Sequence, residues 1–252
     1  MKEQKKYAIS VIAGLLTIIV SSIILFSSGS YAVYTADTAK RKLPVYGVGR
    51  DDGVLSISFD CAWGTDYTDK ILDALDFYNV KATFFVVQFW AEKYPDYLKK
   101  IVGRGHEVGT HSKTHPKMSK LSAEEIEEEL KSSVAAIENV TGQKVKLFRP
   151  PFGDYDDKVI AAAENLGLYT IQWNVDSLDW KNLSAEQIAA RVIKKAGSGS
   201  IILMHNNGLH TAESLPLIFT ATQQKGLVYR PISELIYTDD FRITPDGTQI
   251  KN

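Results

Sequence analysis

The sequence is poor in cysteine and in net charge. Among its 252 residues Cys61 is the only cysteine, so an internal disulfide is excluded and the fold must rest on its core. Lys plus Arg number 29 and Asp plus Glu 30, a net charge of -1. That balance leaves no basic footprint and argues against a nucleic-acid partner. At 44% hydrophobic and 10% aromatic the composition is ordinary for a globular protein. The length suffices for one large domain with a sizeable core.

What is present begins with a long apolar run. Met1 to Lys6 is polar and carries Lys2, Lys5 and Lys6. Tyr7 to Phe26 is then uncharged and mostly apolar, about the length of a bilayer-spanning helix. The lysines predict a cytoplasmic N-terminus, so the chain is expected to be a single-pass membrane protein with the remainder of the chain extracytoplasmic. A cleaved signal peptide competes, since Ser30-Tyr31-Ala32 offers small residues to a peptidase. The run is long for such a peptide, which favours an uncleaved anchor over residues 1–26. Residues 27–52, with Lys40-Arg41-Lys42 and Pro44 and no sustained period, read as a stem.

From Gly53 the pattern alternates between strand and helix. Strands are expected at 54–59, 82–87, 107–110, 145–148, 169–175 and 200–204, with a further element starting at 227–231. Helices are expected at 67–78, 97–102, about 122–140, 157–166, 184–196 and 212–224. Ser122 with Glu125, and Ser184 with Gln187, have the spacing of capping boxes. The acidic run Glu124 to Glu129 reads as a solvated face near a helix N-terminus, where negative charge is favourable. Residues 53–243 are thus expected to be one α/β domain of about seven parallel strands, a closed or nearly closed barrel, followed by a polar tail at 244–252.

In such folds the chemistry collects where the strands end. Here the expected strands run into Asp60-Cys61, Thr110-His111, Arg149-Pro150, Asp176 to Trp180, and His205. His111 and His115 are four apart, so both imidazoles reach one cation if the backbone makes about one turn. Pro116 disfavours a helical His115 and places the pair in a turn. Two Asp-bearing loops, an arginine and three histidines are the composition of a hydrolytic metal site.

These motifs resemble the polysaccharide deacetylases, metal-dependent enzymes that remove acetyl groups from glycans. His111-Ser-Lys-Thr-His115, Arg149-Pro-Pro-Phe-Gly153, Asp176-Ser-Leu-Asp-Trp180 and Leu203-Met-His205 match in order. The resemblance covers about Gly53 to Leu235 and implies a distorted (β/α) barrel. It looks most like the small membrane-anchored deacetylases of sporulating Gram-positive bacteria. It implies Asp60 as general base, His205 as general acid, and His111 and His115 as ligands of a divalent metal, zinc in this reading. Arg149 would hold Asp60 ionised, and Asp179 would orient His205. Phe152 would offer its N–H to the oxyanion, and Trp180 and Leu203 would wall the pocket for the acetyl methyl. The substrate implied is a glycan with N-acetylated sugars, peptidoglycan or a chitin-like polymer.

One position departs from the pattern. The family's second consecutive aspartate, a metal ligand, is Cys61 here. A thiolate can bind zinc, but a free cysteine is also a common buried apolar residue. In the first case Cys61 completes the metal site. In the second the cation rests on two histidines, and a catalytically weakened glycan-binding protein on the same fold becomes the alternative to an enzyme. A different amide hydrolase on a related barrel is a third candidate.

Overall fold

The computed structural model describes residues 41–252. The expected span Tyr7 to Phe26 lies outside them. Among the described residues no helix is long and apolar enough to cross a membrane. In chain order the elements are β1 (Gly47–Val48), β2 (Val54–Cys61), α1 (Thr68–Phe77), β3 (Thr83–Val86), α2 (Gln88–Lys93), α3 (Pro95–Gly103) and β4 (Glu107–Thr110). Then come α4 (Ala123–Thr141), β5 (Leu147–Phe148), α5 (Asp157–Asn165), β6 (Tyr169–Thr170), β7 (Val175–Asp176), α6 (Ala185–Lys195) and β8 (Ile201–His205). The chain closes with α7 (Thr211–Gln224), β9 (Val228–Tyr229), α8 (Ile232–Leu235), β10 (Phe241–Ile243) and β11 (Thr248–Lys251).

Strand β2 sits at the centre of the sheet, and its side chains alternate as a strand requires. Leu55, Ile57, Phe59 and Cys61 enter one apolar cluster with Ile71, Leu72 and Leu75 of α1. On its other face Ser58 donates its hydroxyl to the Ile202 carbonyl at 2.7 Å, and Asp60 faces a cavity. The helices are started by their caps. Ser122 and Glu125 form a full capping box on α4, and Ser184 and Gln187 on α6.

The main sheet runs β6-β5-β4-β3-β2-β8-β7, with β9 paired beside the start of β2. The pairs along this path are parallel. Seven parallel strands in this order make a half-barrel, not a closed ring. The single strand expected over 169–175 splits in two, because its ends pair with different partners. Its beginning pairs with β5 and its end with β8.

Two boundaries differ from the sequence reading. The compact unit runs from Lys42 to Asn252, so the fold takes in residues expected to be stem and tail. Val45 bridges in parallel to Ile171, and Gly47 bridges antiparallel to Ser200. Strand β1 pairs with β11, which forms an antiparallel ladder with β10. Val45 and Val48 thereby join Phe85, Leu147, Ile171 and Ile201 in a second apolar cluster. The tail is held by a polar residue, which hid it. Gln249 is fully buried, accepts the Tyr237 N–H at 2.8 Å and donates to the Tyr237 carbonyl at 2.7 Å.

Candidate active site

Parallel register brings the expected residues together at one end of the sheet. Asp60 at the end of β2 stands opposite His205 at the end of β8. A cavity of about 590 Å³ opens there, lined by Asp60, His111, His115 and His205. Phe152, Trp180 and Leu203 line it too. Arg149 and Asp179 stand behind this lining, both fully buried.

Asp60 is held by Arg149. The guanidinium donates from Nη1 to Asp60 Oδ1 at 2.8 Å and from Nη2 to the Gln172 carbonyl at 3.2 Å. It lies over the Phe85 ring, 4.1 Å from its centroid. Burial alone would raise the Asp60 carboxyl. The positive charge of Arg149, with smaller contributions from His111 and His205, outweighs that and holds it below the usual range. Asp60 is therefore an ionised carboxylate facing a cavity.

His205 is held by Asp179. Its Nδ1 bonds to Asp179 Oδ1 at 2.7 Å, and its backbone N–H donates to Oδ2 at 2.8 Å. The Thr211 hydroxyl also donates to Oδ2, at 2.6 Å. Burial pushes the imidazole pKa down, but the hydrogen bond and charge of Asp179 push harder, and the net shift is upward. An anchored Nδ1 leaves Nε2 as the proton-carrying edge.

His111 and His115 flank a turn with left-handed backbone at Ser112 (φ 73°) and His115 (φ 61°). The two rings are 5.0 Å apart. His111 Nδ1 donates to the Arg149 carbonyl at 2.7 Å, and burial lowers its pKa, so the ring is neutral with a bare Nε2. That nitrogen faces Asp60 Oδ2 at 3.5 Å. Burial, reinforced by His111, lowers His115 to about 4. His106, the third histidine of this stretch, takes no part. It is buried beside Phe84 and accepts the Ala82 N–H at 3.3 Å.

The turn has a clamp that sequence reading missed. Glu129 accepts the backbone N–H of Lys113 and of Thr114 on Oε2, both at 2.8 Å, and the Thr114 hydroxyl on Oε1 at 2.6 Å. The acidic run of α4 is otherwise exposed, but Glu129 is buried. A signal was present. Glu129 lies on the stripe of Ile126, Leu130, Ser133 and Ile137 that α4 turns inward.

The donors for a metal are incomplete. A neutral imidazole whose Nδ1 is tied to a carbonyl is oriented as a ligand, and a bare nitrogen facing a carboxylate oxygen favours a cation or a water between them. Two imidazoles suit that role. Cys61 does not join them. It belongs to the apolar cluster on the opposite face of β2, its thiol points to the Phe59 carbonyl at 3.8 Å, and burial raises its pKa well above the ordinary thiol value. Among the described residues no group of three or more His, Cys, Asp or Glu is arranged to hold a metal ion. The residues fit a cation held by two histidines and solvent, not the three-ligand site that a Cys61 thiolate would complete.

Comparison with known proteins agrees with this geometry. The family described as polysaccharide deacetylase matches residues 47–171. A peptidoglycan-N-acetylglucosamine deacetylase of Bacillus cereus is 31% identical, over 75% of this chain and 70% of the relative. An uncharacterized Bacillus subtilis protein is 37% identical over 77% of this chain, which spans only 60% of that relative's length. Among solved structures, a CE4 family pseudoenzyme from Bacillus anthracis is 36% identical with a TM-score of 0.74, over 76% of this chain and 68% of the other. A mutant of that pseudoenzyme with restored enzymatic activity is 38% identical with the same TM-score, over 76% of this chain and 70% of the other.

Proposed function

Because the chain belongs to the polysaccharide deacetylase family, we propose that it hydrolyses the acetamide of N-acetylated sugars in a glycan, with peptidoglycan as the substrate class. The observation that carries this is the register of Asp60 and His205. A carboxylate held ionised and an imidazole that keeps its proton more tightly than an ordinary one stand side by side on neighbouring strands, each anchored by a buried partner. Binding alone needs neither.

Asp60 takes a proton from the attacking water as its oxygen bonds to the acetamide carbon. The Phe152 N–H stabilises the oxyanion that forms. His205 gives its proton to the sugar nitrogen as the carbon–nitrogen bond breaks, leaving acetate and a free amine. Trp180 and Leu203 wall the acetyl methyl. His111 and His115 would hold a divalent cation, zinc being suited to imidazole donors, and when bound it supplies Lewis acidity toward the acetamide oxygen and water. The apolar run Tyr7 to Phe26 supports anchoring in a membrane with this domain on the outer side.

A specific observation favours a second reading. With Cys61 turned into the core the cation has two protein ligands, and a pseudoenzyme is among the similar structures. A glycan-binding protein with little turnover would have this composition. Acetate release from peptidoglycan and chitin oligomers by the purified protein, measured together with its metal content, decides between them. Acetate release that stops in Asp60→Asn and His205→Ala supports the deacetylase. Glycan binding without acetate release, at any supplied zinc concentration, supports the binder.

A further inference from the structure

The turn after β2 carries an indole that no step above uses. The Gly64 carbonyl accepts Nε1–H of Trp90 at 2.8 Å and Nδ2–H of Asn206 at 2.9 Å. Gly64 itself is left-handed (φ 59°), and a Cβ there would come within 2.9 Å of Asp66 Oδ2. Donors from α2 and from the segment after β8 thus pin the turn from two sides. On this pinned turn Trp63 is held outward, 59% exposed. Its ring centroid lies 5.0 Å from that of His115 at an interplanar angle of 67°, and it lines the same cavity as Asp60 and His205.

An exposed apolar side chain is ordinary when single, but a cluster of them marks a binding surface. Phe152 is 64% exposed and Trp180 56% exposed, and both also line this cavity. Exposed aromatic rings thus line this cavity beside both His115 and the Asp179–His205 pair. Trp63 and Phe152 both meet the His115 ring edge-on, at 5.0 and 4.7 Å, and Trp180 directly follows Asp179, which holds His205. A pyranose ring presents an apolar face of C–H groups, which suits a flat, rigid aromatic ring. A single acetyl group does not need so wide an apolar rim.

We propose that Trp63 is a stacking platform for a sugar ring next to the one being deacetylated, so that the site grips a glycan chain and not a single sugar. This rests on the proposed glycan substrate, and it concerns binding and not turnover. The test is calorimetric titration of the full chain with tetra-N-acetylchitotetraose, comparing wild type, Trp63→Ala and Trp63→Phe, with thermal melting of each. Trp63→Ala should bind the tetramer roughly tenfold more weakly, equivalent to about 1.4 kcal/mol, at an unchanged melting temperature. Trp63→Phe keeps a flat ring and should stay within about threefold of wild type. Tetramer binding by Trp63→Ala at wild-type strength overturns the proposal. So does an equal loss in both variants accompanied by a lower melting temperature, which would mean that Trp63 only props His115. A wild type that binds no tetramer overturns it too. A wild type that binds tetramer but releases no acetate removes the deacetylase reading and leaves the comparison of the three proteins to decide the role of Trp63.

Discussion

Replacing Glu129 by Gln removes one charge and changes no shape. In the native protein its carboxylate takes two backbone N–H groups and one hydroxyl. Hydrogen bonds to a charged acceptor contribute about 1.5–3 kcal/mol each, and neutral ones about 0.5–1.5 kcal/mol. The glutamine oxygen can still accept the Lys113 and Thr114 N–H groups, while its amide nitrogen turns to the Thr114 hydroxyl, which can rotate to accept. All three bonds thus fall from the charged to the neutral class, a loss of about 3 kcal/mol. For a domain of this size that lowers the melting temperature by roughly 6–12 °C. The turn that sets the left-handed His115 loosens with it, so zinc binding should weaken alongside. Glu128 next door is the control. Its carboxylate is 64% exposed and pairs with Lys113 Nζ at 2.9 Å, and Glu128→Gln should change stability by less than about 0.5 kcal/mol. Thermal melting by circular dichroism and a zinc titration on both variants provide the measurement. A Glu129→Gln protein that melts within a degree of wild type and binds zinc as tightly would refute the clamp.

Two further outcomes follow from the site. His205 keeps its proton to a pH above the ordinary imidazole range because of Asp179, and Asp60 loses its proton below the ordinary carboxylate range. The rate should therefore be bell-shaped with a broad top. Asp179→Asn should pull the alkaline limb down toward about 6.5, and it should also remove stability that the pair contributes at low pH and loses as pH rises through the raised His205 value. An alkaline limb that stays in place in Asp179→Asn counts against the dyad. Cys61→Ala should leave the metal stoichiometry of the protein unchanged, and the native thiol should resist a disulfide reagent until the protein is unfolded, since it is buried and its pKa is raised. Loss of metal in Cys61→Ala, or fast modification of the native thiol, would put Cys61 back in the site.

Much of this protein was decided locally. The strand–helix alternation from Val54 to Gln224 is written in side-chain periods, capping boxes and glycine stops, because each of these acts within a few residues. The ends of the strands named the site for the same reason: an apolar run that terminates in Asp60, His111, Arg149 or His205 places that residue at the rim of a parallel sheet. What only the tertiary structure decided concerns pairs far apart in the chain. Residues 42–52 and 244–252 are too short and too polar to show a period, and they become strands only because β1 and β11 meet each other. Glu129 looked like one more solvated acid until the turn at Lys113 and Thr114 was folded onto it. Cys61 could have faced either way at the level of sequence. Its direction follows from β2 remaining a regular strand through its last residue, so that strict alternation sends Asp60 to the cavity and the thiol to the core.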